Sequence, residues 1–258
     1  MLNLRDLHIG YDEDASRHIV AEALDASLPK GTMACLVGAN GVGKSTLMRT
    51  LSGFQPALQG AVYIEGKSIE DYTPRELSER VGVVLTERNT TPDLTVEEVV
   101  AIGRMPYTNF WGRLTQTDCR AVDEAIALVG IESLRHKKVG RVSDGERQKV
   151  MIAKALAQQT GVILLDEPTA FLDYGSKVSV MRLLRRLAHE QGKSILLSTH
   201  DLEIAFQITD EVWILQRDGL QTGTLDALEQ RGVVSAFLAQ SGLHYDRVTK
   251  RIVIDSER

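Results

Sequence analysis

Apolar residues fall in short unbroken runs along this chain, and the runs alternate with segments whose apolar positions recur every three or four residues. Strand-like alternation opens the chain from Leu2 to Tyr11. A second such run, Ile19 to Leu28, follows the polar turn DEDASR, so the two predict an antiparallel pair. Continuous apolar runs at Met33–Val37, Ala61–Ile64, Val81–Leu85, Val162–Asp166, Ser194–Thr199 and Glu211–Leu215 read as strands. Helical patterns lie between them at Lys44–Leu51, Val178–Ala188 and Leu202–Gln207. Thr73-Pro74-Arg75-Glu76 marks a further short helix, with a capping residue, a proline at the first helical position and an acid in the first turn. Apolar strands alternating with helices predict a parallel sheet covered on both faces.

From about residue 88 to about 160 the pattern turns mostly helical, at Val96–Ile102, Asp118–Val129 and Gly145–Ala157. The predicted fold class is therefore α/β: a mainly parallel core, an antiparallel β region on its N-terminal side, and an inserted helical subdomain. One unit is expected over residues 1–240, followed by a short extension, 241–258, whose alternation (LHYDRVTKRIVID) suggests a terminal hairpin. In the helix around Val178, the stripe Val178, Met181, Leu184 and Ala188 lies opposite Arg182, Arg185 and Arg186, which reads as a core face with a solvated basic face.

Composition narrows the function classes. With 258 residues, 43% hydrophobic and 25% charged, the chain can bury a substantial core. A net charge of −5 argues against a general affinity for nucleic acid. No window approaches the roughly eighteen apolar residues of a membrane-spanning helix. MLNLRDLHIG lacks the layout of a secretory leader, so a cytoplasmic location is expected. Cys35, in a predicted strand, and Cys119, in a polar helical stretch, suggest neither a disulfide framework nor a metal site.

The candidate chemistry starts at GANGVGKST, Gly38 to Thr46, which fits the phosphate-cradling pattern G-x-x-x-x-G-K-[ST] through Gly38, Gly43, Lys44 and Ser45. It follows the apolar run Met33–Val37, the strand context that the motif requires. Glycines let successive backbone N–H groups point at phosphate oxygens, and the helix beginning near Lys44 adds the positive end of its dipole. Lys44 brings a mobile charge for the β- and γ-phosphates, and the Ser45 hydroxyl can ligate Mg²⁺. The apolar strand ending in Asp166 and Glu167 offers a carboxylate for Mg²⁺ and a second one to deprotonate an attacking water.

VSDGERQKVMIAKAL, shortly before VILLDEPTAFLD, resembles the signature segment of ATP-binding cassette (ABC) ATPases. Ser143, Gly145 and Glu146 match that signature, whereas Val142 and Asp144 replace its usual leucine and first glycine. The resemblance extends roughly from Leu2 to Leu228 and implies ATP as substrate with Mg²⁺. It places Tyr11 on the adenine, the loop containing Asn40, Gly41 and Thr46 on the phosphates, Asp173 after the second carboxylate, and His200 as the switch histidine. Glu167 is then the general base, and His200 fixes the γ-phosphate and the water. The family usually has a glutamine that touches metal and water where this chain has Thr86, which could ligate through its hydroxyl but carries no amide.

The resemblance also implies partners. In the family geometry the signature of one chain covers the γ-phosphate held by another, so a head-to-tail homodimer with two ATPs between the subunits is expected. AIGRMPYTNFWGRL, through Gly103, Arg104 and Pro106, is similar to a segment of importers for iron-siderophore, haem and cobalamin. That implies membrane permease subunits, an indirectly acting substrate-binding protein, no nucleic acid, and a peripheral position on the cytoplasmic face of the membrane. Phe110 and Trp111 are read either as a partner surface or as folding back into the helical insertion. The competing readings are an exporter subunit and a soluble ABC ATPase acting on nucleic acid or ribosomes. The chain's single cassette and lack of sustained heptads weigh against the latter.

Overall fold

The computed structural model of the chain describes residues 1–13, 16–85, 92–216, 219–247, 249 and 251–254. Strand β1 (Leu2–Glu13) pairs antiparallel with β2 (Ser16–Leu28), as the alternation predicts, but both strands run further toward the turn than expected. The added rungs are Tyr11↔His18, Asp12↔Arg17 and Glu13↔Ser16, polar positions that carry no apolar alternation to reveal them. After β3 (Met33–Val37) and α1 (Lys44–Leu51), β4 (Gln59–Ile64) joins the other edge of β1, with β5 (Lys67–Ser68) beyond it. Helix α2 (Pro74–Ser78) opens on a reciprocal cap between Thr73 and Glu76, the arrangement its sequence predicts.

The helical stretch begins with α3 (Val96–Ala101), capped by Thr95, and tightens at Ile102–Tyr107 into a 3-10 turn that contains Pro106. Next come α4 (Gln116–Val129), capped by Thr115, and α5 (Asp144–Ala157), capped by Ser143. The core resumes with β7 (Val162–Leu165), which lies beside the earlier β6 (Val81–Val84). Then follow α6 (Tyr174–Gln191), β8 (Ser194–Ser198), α7 (Leu202–Ile208) and β9 (Glu211–Gln216). Helix α6 starts four residues before the apolar stripe does, because Asp173 caps it.

Five of these strands form a parallel sheet in the order β9-β3-β8-β7-β6, to which β10 (Gly219–Gly223) adds an antiparallel edge. The parallel strands separate two cores by their period of two. Met33, Cys35 and Val37 face one core with Leu165, Leu197 and Leu184 of α6. Ala34 and Leu36 face the other with Leu47 and Leu51 of α1 and Leu4 and Leu7 of β1. The sheet's strands can therefore be apolar throughout, and β3, β7 and β8 are buried at every position. Arg182, Arg185 and Arg186 are exposed, as a solvated helix face requires.

Beyond β10 lie α8 (Leu225–Gln230), α9 (Val233–Ala239) and the hairpin of β11 (Leu243–Asp246) with β12 (Arg251–Ile254). The hairpin rests on α7 through an edge-to-face contact of Tyr245 with Phe206 and on α8 through an ion pair of Arg247 with the buried Glu229. Both cysteines are free, and burial pushes the Cys35 thiol up to about 12.

Candidate active site

Parallel strands all deliver their following loops to one edge of the sheet, and that is where the phosphate-type motif, the paired acids and the histidine meet. The loop after β3 turns on glycines for steric reasons. A Cβ on Gly38 would lie 2.5 Å from the Leu215 carbonyl oxygen. Gly43 has φ +112° and would drive a Cβ to 2.4 Å from Val20. Lys44 opens α1 and is buried, with its ammonium donating to the carbonyls of Gly38 (2.8 Å) and Ala39 (3.1 Å). Burial lowers its pKa, against the opposing pull of Glu167 and Asp166. The first turn of α1 contains no acidic residue to offset the positive end of its dipole.

A cavity of about 690 Å³ joins Tyr11, Ser45, Arg49, Phe54 and Asp166. The Tyr11 hydroxyl is 3.0 Å from Thr46 Oγ1, which ties the end of the β1–β2 ribbon to α1. Asn40 and Gly41 line a separate hollow with Gln216 and Phe237. Ser45 and Asp166 supply the cavity with hard oxygen donors. That set suits Mg²⁺, which takes one or two protein oxygens and completes its shell with phosphate and water. Thr86 lies outside the described residues.

Asp166 and Glu167 follow β7 directly. Glu167 has φ +48°, a left-handed backbone seldom adopted by a residue with a side chain. Its Oε1 stands 2.8 Å from His200 Nε2, so the two side chains predicted to share the chemistry are in contact. Ser198, at the end of β8, links both acids: its hydroxyl donates to Asp166 Oδ1 (2.6 Å) and accepts from the Glu167 backbone N–H (2.9 Å). Sequence reasoning passed over Ser198, whose only signal is a hydroxyl at the end of an apolar run. Asp201, next to His200, is held by Lys177 (3.0 Å) and by the Thr169 hydroxyl (3.3 Å).

The signature residues form a second cluster. Ser143 and Glu146 cap α5 reciprocally, with the Glu146 carboxylate accepting from Ser143 N (2.8 Å) and Oγ (3.0 Å). Those bonds, the backbone one first, hold the Glu146 carboxyl below its usual range. Asp144 pairs with Arg147 one turn on (2.8 Å). Asp173 caps α6 through Ser176, and a Cβ on Gly145 would sit 3.0 Å from the Ser176 hydroxyl, so Gly145 permits α5 and α6 to start side by side. Ser143, Gly145, Glu146 and Asp173 do not line the cavity shared by Tyr11, Ser45 and Asp166.

Arg104 of the GRMPY segment turns inward. It donates to Asp118 (2.9 Å), to the Ala157 carbonyl (2.7 Å) and to Gln159 (3.0 Å), and its guanidinium lies over the Tyr107 ring. Phe110 and Trp111 do not fold back into the helices: they are 95% and 79% exposed and pack edge-to-face on each other. Among the described residues no helix is long and apolar enough to cross a membrane.

Residues 21–170 match the ABC transporter family. The chain is 38% identical to an uncharacterised ABC transporter ATP-binding protein of Methanocaldococcus jannaschii, over 96% of this chain and 84% of that one. It is 35% identical to the iron(3+)-hydroxamate import ATP-binding protein FhuC of Bacillus subtilis, over 89% of this chain and 86% of that one. Among solved structures, a transporter described as metal-chelate type, in an inward-facing conformation, matches at 25% identity with a TM-score of 0.78, over 92% of this chain and 88% of that one. A dimeric ATP-binding cassette in a post-hydrolysis state, bound to ADP and phosphate, matches at 26% identity with a TM-score of 0.72, over 87% of this chain and 99% of that one. The family match thus spans the phosphate loop, the signature and both acids, and the chain belongs to the ABC transporter family as one of its ATP-binding, ATP-hydrolysing subunits.

Proposed function

We propose that this chain powers import of a metal chelate of the iron-siderophore, haem or cobalamin type. It would work as a head-to-tail homodimer attached to permease subunits at the cytoplasmic face of the membrane, with a substrate-binding protein acting at a distance. The observation that carries this reading is the likeness to an iron(3+)-hydroxamate import subunit over 89% of the chain. The match to a dimeric cassette supports the pairing of two copies.

In this reading Tyr11 stacks on the adenine, and the Gly38–Thr46 loop, with Asn40 and Gly41, wraps the phosphates. Lys44 exchanges its bonds to Gly38 and Ala39 for phosphate oxygens. Ser45 and Asp166, with Thr86 as a further hydroxyl, would hold Mg²⁺, which would supply positive charge against the phosphates. Glu167 takes a proton from water as the water oxygen bonds to the γ-phosphorus and the bond to the ADP oxygen breaks. His200 holds Glu167 and the γ-phosphate in line. Ser143, Gly145 and Glu146 of one copy close over the γ-phosphate bound by the other, and Asp173 lies at the junction. The helical stretch at about 88–160 is a subdomain inserted in a 1–240 ATPase unit, and 241–258 is an extension.

Co-purification tests the proposal. A stable complex with a polytopic membrane protein is expected, and vesicles containing that complex should accumulate a metal chelate when ATP is supplied. Stimulation of ATP hydrolysis by DNA or ribosomes, with no membrane partner retained, would overturn it.

A further inference from the structure

Ser198 holds both acids through one hydroxyl. The parallel register of β7 and β8 pairs Leu164 with Leu196 and Leu165 with Leu197, so the next rung brings Asp166 opposite Ser198. Ser198 is fully buried, and its hydroxyl has a single proton. A backbone N–H can only donate, so the Glu167 N–H gives to Ser198 Oγ, and the serine proton is left for Asp166 Oδ1. The bond to Glu167 falls on a residue at φ +48°, where an L side chain crowds its own backbone. That turn aims the Glu167 side chain at His200 rather than along the strand.

We propose that Ser198 is a positioning residue for ATP hydrolysis: its hydroxyl clamps the left-handed turn at Glu167 and, through the same atom, fixes the orientation of the Asp166 carboxylate. Ser198 is buried and does not line the cavity with Ser45 and Asp166, and it acts through its two neighbours. Without the hydroxyl, the Glu167 N–H loses its partner and the turn can relax toward an extended backbone. The carboxylate then leaves the place from which it contacts His200. Position therefore decides the rate, while the phosphate loop and the tyrosine, which govern nucleotide binding, are untouched.

The inference rests on Glu167 as the base, and the test separates the two. Ser198→Ala should lower kcat about ten- to a hundredfold, the scale of a small misplacement in an active site, with KM for ATP within about twofold. Hydrogen exchange at the Glu167 amide should accelerate. In single-turnover assays, adding Ser198→Ala to Glu167→Gln should slow hydrolysis by less than Ser198→Ala slows the parent, since one of the two carboxylates it positions, the base, is already absent. Parental kcat in Ser198→Ala, or a double variant slowed by the full Ser198→Ala factor, would overturn the clamp. Parental hydrolysis by Glu167→Gln would instead overturn the base assignment. Ser198→Cys, of similar volume but a weak donor, carries the same comparisons if the alanine variant does not fold.

Discussion

Glu167 Oε1 and His200 Nε2 are 2.8 Å apart, in the loops that follow neighbouring strands β7 and β8. With its proton on Nε2 the imidazole donates to the carboxylate, fixing the carboxylate's direction while leaving the second oxygen for water. Glu167→Gln keeps the shape and removes the proton acceptor. It should bind ATP as the parent does, lose hydrolysis by about 10²–10⁴-fold, the usual share of a general base, and accumulate as an ATP-bound dimer in gel filtration.

Lys44 should act on binding instead. Its buried ammonium is already desolvated and held by two loop carbonyls, so phosphate oxygens replace existing bonds and little new ordering is needed. Charge-assisted hydrogen bonds contribute about 1.5–3 kcal/mol, so Lys44→Ala should weaken ATP binding by roughly 10- to 150-fold in titration calorimetry. Urea stability of the nucleotide-free protein should change far less.

Arg104 is expected to govern folding more than chemistry. It and Asp118 are each 3% exposed, and the pair joins the 3-10 turn, α4 and the end of α5. Arg104→Met leaves the Asp118 charge buried without its partner, which costs about 3–5 kcal/mol. Urea unfolding should show that loss, and Arg104→Met with Asp118→Asn should recover part of it. Additive losses in the double variant would mean that the ion pair is not the origin of the effect.

The central strands and the site edge were legible because parallel strands buried on both faces must be apolar throughout, and because backbone cradling of phosphate demands glycines at set positions. Met33–Val37 and Gly38–Thr46 show both constraints. Elements held by polar contacts were not legible. β10 carries one apolar residue, Leu220, and is placed by its ladder to β9, while α8 and α9 are too short to establish a helical period. Arg104 is recognisable as part of a motif, but its inward role depends on Ala157 and Gln159, more than fifty positions away. Ser198 depends on strand register, which one strand cannot reveal.

Acid should destabilise the fold through the helix caps. Hydrogen bonds from the Thr115 hydroxyl and backbone, with help from Arg104 and against the effect of burial, hold the Asp118 carboxyl below its usual range, and Ser143 does the same for Glu146. Carboxyls whose pKa is lower in the folded than in the unfolded chain stabilise the fold fully above the unfolded value. That contribution fades as pH drops through the folded one. The urea midpoint should therefore stay level from pH 7 to about 5 and fall below about pH 4, near the unfolded carboxyl range. Thr115→Val should flatten that fall, because it removes the leading cause of the Asp118 shift.

Tyr11 separates two ways in which one residue can serve the nucleotide. Its ring lines the cavity with Ser45 and Asp166, while its hydroxyl reaches Thr46 on α1 at 3.0 Å. Stacking of a base on an aromatic side chain contributes about 1–3 kcal/mol, so Tyr11→Ala should raise KM for ATP by roughly 5- to 150-fold. Tyr11→Phe keeps the ring and should remain near the parent. Every base has a π-face, so GTP should suffer from Tyr11→Ala as much as ATP does. Should Tyr11→Phe prove as damaging as Tyr11→Ala, the bond to Thr46 rather than the ring would be what Tyr11 contributes.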